Sequence, residues 1–462
     1  PLDLFLRIFF ESPSYVSSAT ASMVVPARSP APTNQLIFLR NWLTWGVFWE
    51  WSMFELAKLL LVFLLILLLI KKRIPLGPSI LLGGFFLSLL FGLPILQAFK
   101  HAGVALIEWP TIHLLIIVLL ILIFGELLKQ LKSLEDLSTG LESLFRSTKL
   151  LLMFMPATVG LLPMPAGAMM SAPMVEQVGV KKNLSAEVKM VVNYWFRHIL
   201  EFVWPLYLGL VLTASLLSIS LREVILAQLP LSVAMILGGF LFCARKIKVQ
   251  EGSIQHKGSV FQNLGLAFKG VLPVLLVVGL NLTLRIDIAL ALCLSMAIFG
   301  LIRKVEMLRW GKMIRTAITL EIVILILAVM VFKKLITVSG AIETVPNSLA
   351  DLGVSPIFAI VTVPFAVGLL TGMTSAFVGI SYPVLLSFLS PNGVDYGYMM
   401  LAYGAGFTGV MLSPVHLCLV VTRRYFKASF SGIYRMLLPA GLFIIVFGLI
   451  LVLLGFPWGK IG

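Results

Sequence analysis

The sequence predicts an all-α polytopic membrane protein made of two inverted-topology repeats, each with five transmembrane helices and one re-entrant hairpin. Of the 462 residues, 60% are hydrophobic and only 12% are charged, too few charges to cover the surface of a soluble protein. Apolar runs such as "LLLVFLLILLLI" (59–70) recur along the chain and are typical of helices that cross hydrocarbon. A series of short motifs also repeats in order at a nearly constant offset of 208–212 residues.

The length of the apolar runs predicts ten spanning helices. They are expected at 54–70, 79–97, 111–128, 189–213, 223–243, 264–282, 286–302, 314–333, 396–421 and 433–455. Two further apolar segments, 150–180 and 354–392, are interrupted by proline, glycine and other small residues. We expect each of them to return to its own side of the membrane as a re-entrant hairpin.

The first 52 residues form an N-terminal extension that we expect to be disordered or not part of the functional protein. The stretch 11–35 is rich in Ser, Pro and Ala, as disordered tails are, and the first apolar span begins only near Met53. The alternative is an aromatic lead-in over 38–51 that lies in the membrane interface.

The repeats are recognised by matching motifs. "VGLLPMPAGAMMSAP" (159–173) corresponds to "VGLLTGMTSAFVGISYP" (367–383), and "WPLYL" (204–208) corresponds to "SPVHL" (413–417). These matches define repeat 1 over 54–245 and repeat 2 over 264–455, joined by a cytoplasmic linker at 246–263. Because each repeat has an odd number of spans, the second repeat is expected to lie upside down relative to the first.

The net charge of +15 indicates topology rather than nucleic-acid binding, since the basic residues lie between apolar segments. With both hairpins re-entrant, about 23 of the 35 lysines and arginines fall on one face of the membrane. That face is therefore predicted to be cytoplasmic, with both termini on the other side of the inner (cytoplasmic) membrane. The first hairpin then enters from the cytoplasm and the second from the opposite face.

The hairpin tips are candidate binding sites, because proline and glycine free backbone N–H and C=O groups that can hold ions or substrate. The first tip contributes the candidates Pro163, Pro165, Gly167 and Ser171. The second contributes Thr371, Gly372, Thr374, Ser375 and Ser381, and we expect it to supply more side-chain contacts. The alternative is that small residues only let the hairpins pack closely.

The helix after the first hairpin carries Asn193, Arg197, His198 and Glu201 within a predicted span. Charges at such depth are costly and usually functional. One interpretation makes Arg197 the anchor of an anionic substrate and Glu201 or His198 a proton or cation site. The other makes Arg197 and Glu201, four residues apart on one helix face, a structural ion pair. Pro205 is expected to break the helix just beyond the site.

The corresponding helix of the second repeat carries a GxGxxG pattern at 404–409. It is a poor nucleotide motif inside a membrane span, so we expect its glycines to permit unwinding or close packing. Thr408 and Ser413 are its polar candidates, and His416 is expected to be a satisfied interior histidine. Glu321 is a third acid predicted inside the membrane.

Three cysteines, Cys243, Cys293 and Cys418, lie in apolar surroundings and are expected to be packing residues. The spacing of cysteine and histidine shows no zinc or haem motif. We therefore expect no bound metal and no cofactor, apart from H⁺ or Na⁺ as a coupling ion.

The run "LLPMPAGAMMSAP" followed by "NYWFRHILEFVWPLY" resembles an integral-membrane family described as domain of unknown function four-hundred-and-one. The resemblance covers about 54–455 and implies a place in the ion transporter superfamily, beside divalent-anion/sodium symporters, gluconate permeases and arsenite permeases. It implies inverted repeats, re-entrant hairpins and elevator-type movement of a transport domain. The symporters carry Ser-Asn-Thr signatures at their hairpin tips, where this chain has "PMPAG" and "TGMTS". The resemblance therefore carries over no substrate.

These observations favour a secondary active transporter, not an enzyme, that moves a small anionic solute with H⁺ or Na⁺. Its expected partners are the anion, the lipid bilayer and a second copy of the chain in a homodimer, with no nucleic acid. The alternatives are an intramembrane hydrolase with a Ser381/His416 dyad and a passive anion channel.

Overall fold

The structure is a computed structural model of the chain that describes residues 34–142, 147–161, 167–245, 247, 260–458 and 461. Every regular element in these ranges is a helix, as predicted. The first half contains α1 Asn34–Lys71, α2 Leu76–Leu90, α3 Ile95–Ile107, α4 Trp109–Gln130, α5 Ser133–Glu142, α6 Thr148–Val159, α7 Ala168–Lys181, α8 Ala186–Arg197, α9 Leu208–Leu217 and α10 Leu221–Gly238, continued as a π-helical turn over Gly239–Cys243. The second half contains α11 Val260–Leu282, α12 Ile288–Ile302, α13 Met307–Ala317, α14 Leu320–Val338, α15 Ala341–Asp351, α16 Pro356–Thr371, α17 Thr374–Val384, α18 Leu386–Leu389, α19 Tyr396–Leu412, α20 Leu417–Phe426 and α21 Phe430–Leu453.

Six helical segments of the described chain are long and apolar enough to cross a membrane, or seven if the bent pair α13–α14 forms one span. The six are Met53–Lys71, Trp109–Gln130, Leu221–Cys243, Phe261–Leu282, Tyr396–Phe426 and Phe430–Leu453. On α1, Leu60, Leu64 and Leu68 expose about half of their surface on the outside of the fold. Apolar helices with exposed leucines fit a multi-pass membrane protein whose outer surface contacts lipid.

The predicted spans 79–97 and 314–333 are each divided into two helices. The prediction of one helix over 79–97 is wrong, because α2 ends at Leu90 and Pro94 precedes the start of α3. Gly92 between them adopts a left-handed φ of 79°, which glycine tolerates at little cost. The predicted span 314–333 is likewise two helices, α13 and α14, bent by 55°. Glu321 therefore lies in the first turn of α14, next to this bend, and is exposed.

The predicted spans 189–213 and 396–421 are both discontinuous. The first divides into α8 and α9 around 198–207, and the second into α19 and α20 around 413–416. Pro205 and Pro414 lie inside the two breaks, where a missing N–H and a fixed φ prevent a continuous helix. The helix ends at Arg197, well before Pro205, so the break includes the predicted site rather than following it.

Helix contacts between the two halves come in matched pairs. Helix α2 packs on α14 and α4 packs on α12; α1 packs on α15 and α5 packs on α11. Nearer the breaks, α7 packs on α20 and α9 packs on α17, while α8 packs on α21 and α10 packs on α19. The two halves are therefore interleaved rather than separate.

Glycines set the closest helix crossings. A Cβ on Gly160, which caps the C-terminus of α6, would overlap the carbonyl oxygen of Arg197, and a Cβ on Gly368 of α16 would overlap that of Gly406. Gly409 meets the carbonyl oxygen of Phe365 in the same way. Helix α19 remains helical through its GxGxxG pattern, so these glycines provide close packing and not unwinding.

Candidate functional site

The first break is held against the end of α6 by side-chain hydrogen bonds to backbone carbonyls. The hydroxyl of Tyr207 donates to the Gly160 carbonyl at 2.6 Å, and the indole N–H of Trp204 donates to the Leu161 carbonyl at 2.8 Å. Arg197 Nη1 donates to the Tyr207 hydroxyl at 2.9 Å. The carbonyls at the end of α6, which lack helical partners, are thus satisfied by the break.

Arg197 and Glu201 form the predicted ion pair, with 3.3 Å between Nη1 and Oε1. Arg197 is 2% exposed and Glu201 is 7% exposed, so both charges are buried. The helix ends at Arg197, and turns at 198–203 carry Glu201 back toward the guanidinium. The hydroxyl of Tyr403 on α19 reaches the Glu201 carbonyl at 3.4 Å, which brings the second half into contact with the pair.

Two histidines from different halves meet next to this pair. His198 Nε2 lies 3.4 Å from His416 Nε2. The Nδ1 atom of His198 lies 2.7 Å from the Tyr194 carbonyl, and the Nδ1 atom of His416 lies 2.7 Å from the Gly372 carbonyl. His416 was expected to be a satisfied interior histidine, and both of its ring nitrogens do have neighbours. The structure adds that one of those neighbours is a second histidine.

At the first hairpin, Pro163 and Pro165 lie outside the described residues. Gly167 precedes α7, and the side chain of Ser171 donates to the Ala168 carbonyl at 3.3 Å. Asn193 Nδ2 donates to the same carbonyl at 2.7 Å, while Asn193 Oδ1 is buried without a hydrogen-bond partner among the described atoms. Asn193 therefore connects α8 to the start of α7.

At the second hairpin, Gly372 lies between α16 and α17 with a left-handed φ of 66°. A Cβ there would clash with the backbone of His416. The hydroxyl of Thr371 donates within its own helix to the Val367 carbonyl at 2.7 Å. Thr374 and Ser375 occupy the first turn of α17, where Thr374 packs closely on Gly209. The second break and the second hairpin tip thus meet at Gly372.

Three further predicted residues lie on α17 and α19. The hydroxyls of Ser381 and Thr408 are buried without a hydrogen-bond partner in the described part of the chain. Ser413 ends α19 and accepts from the Val415 N–H at 3.3 Å. His416 Nδ1 bonds to the Gly372 carbonyl and its Nε2 faces His198, while Ser381 Oγ has no hydrogen-bond partner in the described part of the chain, so the Ser381/His416 dyad of a hydrolase is not formed.

A separate cavity of about 660 Å³ lies between α4, α9, α10, α11 and α12. Its polar wall includes His113, Arg222 and Asp287, and His113 Nε2 is 3.1 Å from Asp287 Oδ2. None of the predicted site residues lines it.

The roles of Tyr207, His416 and Cys418 in the structure differ from what the sequence predicted. Cys418, expected to be a packing residue, lies with His198 and His416 in one group whose ligand atoms are all within 4.8 Å of one another. The alignment of "WPLYL" with "SPVHL" held the signal, since it pairs Tyr207 with His416. Both side chains bind a carbonyl at a hairpin of their own half.

The fold and this buried polar centre define a multi-pass helical membrane protein with charged side chains in its interior. The chain belongs to the family described as Protein of unknown function (DUF401), which matches residues 55–455. That membership confirms the resemblance drawn from the two sequence motifs. No curated protein matches the chain.

Proposed function

We propose that the protein is a secondary active transporter that moves a small anionic solute across the cytoplasmic membrane, coupled to H⁺ or Na⁺. One observation carries the proposal: buried Arg197 lies where a broken helix contacts the end of α6 and the second half of the chain. Irregular backbone is stable inside a membrane protein only where it is buried or lines a cavity. In transporters such breaks form substrate and ion sites.

The chemistry of the site favours an anion. Arg197 presents a planar donor fork suited to carboxylate or phosphate-like oxygens. Asn193, one turn earlier, holds Ala168 at the start of α7, so the positive end of that helix lies on the same side of α8. Glu201 is paired with Arg197 in this structure, so an anionic substrate would compete with the Glu201 carboxylate for the guanidinium.

The matched helix contacts support two inverted repeats and, with them, the placement in the ion transporter superfamily. If a twofold axis relates the two halves, each contact between a helix of the first half and a helix of the second half occurs twice. The second occurrence is between the equivalents of those two helices in the opposite halves. The pairs α2–α14 and α4–α12, α7–α20 and α9–α17, and α8–α21 and α10–α19 have this form.

An elevator-type movement would carry α6–α9 and α16–α20 past a scaffold of α1–α4 and α11–α14. The cavity of about 660 Å³ lies at this boundary, between α9 of the moving unit and α4, α11 and α12 of the scaffold. The scaffold also exposes large apolar side chains, such as Phe261, which suit lipid or a second scaffold in a homodimer.

The function is tested by a ligand-stabilisation screen of the purified protein against organic and inorganic anions, with and without Na⁺ and across pH. Anions that raise the melting temperature are then tested for uptake into proteoliposomes. We expect at least one anion to stabilise the wild type and to be accumulated. Stabilisation by no anion under any of these conditions would contradict the proposal.

Topology is tested by single cysteines, Lys181→Cys and Asn392→Cys, in a Cys293→Ser background that removes the exposed native thiol. Both positions are exposed. Placing the cysteine at Asn392 leaves intact the Asp395 side chain, which caps α19. Inverted hairpins require the two cysteines to react with an impermeant reagent from opposite faces. Labelling of both from one face would rule the arrangement out.

A further inference from the structure

The centre of the fold brings together three side chains that commonly bind metals. His198 follows the last residue of α8, while His416 precedes α20 and Cys418 is its second residue. Their ligand atoms all lie within 4.8 Å of one another, and His198 and Cys418 are buried. The first ligand belongs to one half of the chain and the other two to the other half, so only the folded protein assembles the group.

The hydrogen bonds of the two imidazoles orient their Nε2 atoms toward each other. A carbonyl oxygen only accepts, so each Nδ1 that faces one must carry the ring proton. In the neutral rings both Nε2 atoms then bear a lone pair, yet they lie 3.4 Å apart. Two facing nitrogens beside the Cys418 sulfur form a buried donor set that a cation can bind. Carbonyl bonds of this type are also how proteins fix the tautomer of metal-binding histidines.

The spacing agrees with tetrahedral coordination. Two nitrogens bound at about 2.0–2.1 Å with a tetrahedral angle lie about 3.3–3.4 Å apart. The Nε2 atoms of His198 and His416 are separated by 3.4 Å. Cys418, in the first turn of α20, supplies a sulfur ligand. A set of two imidazoles and one thiolate suits Zn²⁺ or Cu⁺ and not Na⁺ or Mg²⁺.

We propose that His198, His416 and Cys418 form a binding site for a thiophilic metal ion, with Zn²⁺ as the ion to test and the fourth coordination position open. The adjacent Arg197 is paired with Glu201, so that pair adds no net charge to oppose a cation. A bound ion would tie the end of α8 to the start of α20 and, through the His416–Gly372 hydrogen bond, to the second hairpin tip. This inference goes beyond the proposed transport activity and does not depend on it.

Cobalt titration of the full chain tests the site. The protein is purified without a histidine tag, stripped with chelator and kept in a reductant that does not bind metals. We expect one Co²⁺ per chain, with the visible bands of tetrahedral cobalt and a thiolate charge-transfer band, both abolished by Zn²⁺. Cys418→Ser should remove the charge-transfer band, and His198→Gln or His416→Gln should weaken binding by about tenfold or more.

Cys243→Ser, Cys293→Ser and His113→Gln are matched controls, because these residues lie outside the cluster. All three should bind Co²⁺ as the wild type does. Circular dichroism and size-exclusion profiles in the absence of metal identify any variant that fails to fold, and the remaining variants decide the outcome. Absence of stoichiometric tetrahedral Co²⁺ binding, or binding unchanged by all the cluster variants that fold, would overturn the site. The two failures are distinguishable, because anion uptake can be measured separately on chelator-treated protein, in which the metal site is empty.

Discussion

The hydroxyl of Tyr207 lies between two partners, accepting from Arg197 Nη1 at 2.9 Å and donating to the Gly160 carbonyl at 2.6 Å. This single oxygen connects the buried cation to the first hairpin. Because an oxygen with two good hydrogen bonds cannot be removed without leaving buried groups unpaired, the contact is expected to matter for both stability and transport.

Tyr207→Phe removes that oxygen while keeping the ring. We expect a loss of about 1–3 kcal/mol in unfolding free energy and reduced anion uptake, because the Gly160 carbonyl loses its donor and Arg197 loses a partner. Tyr382→Phe is the control, since buried Tyr382 also donates to a carbonyl, that of Met399 at 3.2 Å. It should lower stability without changing uptake per folded molecule. Equal loss of uptake in both variants would remove Tyr207 from the site.

Variants of the Arg197–Glu201 pair distinguish between its two possible roles, an anion anchor and a structural ion pair. Arg197→Ala alone strands a buried carboxylate and should cost about 3–5 kcal/mol. The double variant Arg197→Ala/Glu201→Ala should recover much of that stability, because neither charge then lies unpaired. If Arg197 anchors the anion, the double variant still fails to be stabilised by the anion. A double variant with normal anion response and normal uptake would make the pair purely structural.

Gly160 and Gly368 occupy corresponding positions in the two halves, and each faces a backbone carbonyl of the following broken helix. Gly160→Ala and Gly368→Ala should each destabilise the protein by about 1–3 kcal/mol, since the added methyl group forces the helices apart. Gly103→Ala and Gly125→Ala are the controls, because nothing lies within 4 Å of a Cβ at either position. Thermal unfolding in detergent measures all four, and unchanged melting temperatures for the first two would contradict the close crossings.

Ser215 of α9 and Met330 of α14 lie across the boundary between the proposed moving unit and scaffold, with 3.9 Å between Oγ and Sδ. Ser215→Cys/Met330→Cys, joined by a short thiol-reactive crosslinker, should arrest uptake if the two units slide past each other. Each single-cysteine variant, treated identically, should retain uptake. Full uptake by the crosslinked double variant would exclude an elevator movement at this boundary.

The sequence predicted the helical membrane class and both interrupted segments, because apolar length and proline or glycine content are local properties. One of its two interpretations of Arg197 and Glu201, an ion pair, is confirmed, although the pair does not share a helix face: the helix ends at Arg197 and the turns at 198–203 bring Glu201 back. It overestimated helix continuity at 79–97, 189–213 and 314–333, because an apolar window does not reveal a turn held by tertiary contacts. Pro205 marked one break, but the structure places the end of that helix at Arg197.

The histidine pair could not be predicted from local patterns, because 218 residues separate His198 from His416. Only the fold shows that the two breaks meet. The role of Cys418 could not be predicted either, since a cysteine in an apolar stretch has the same local sequence whether it packs in the core or binds a metal ion. The alignment of the two halves does pair Tyr207 with His416. In the structure both side chains bind a carbonyl of a hairpin.

Gradient-driven uptake by proteoliposomes tests the central claim most directly. An anion that stabilises the purified wild type is offered outside, and a Na⁺ gradient or a pH gradient is imposed in turn. Secondary active transport predicts accumulation that depends on at least one gradient and is abolished in the folded Arg197→Ala/Glu201→Ala variant. Uptake that proceeds equally without either gradient would contradict it, whereas equal uptake by that variant would remove the Arg197–Glu201 pair from the anion site.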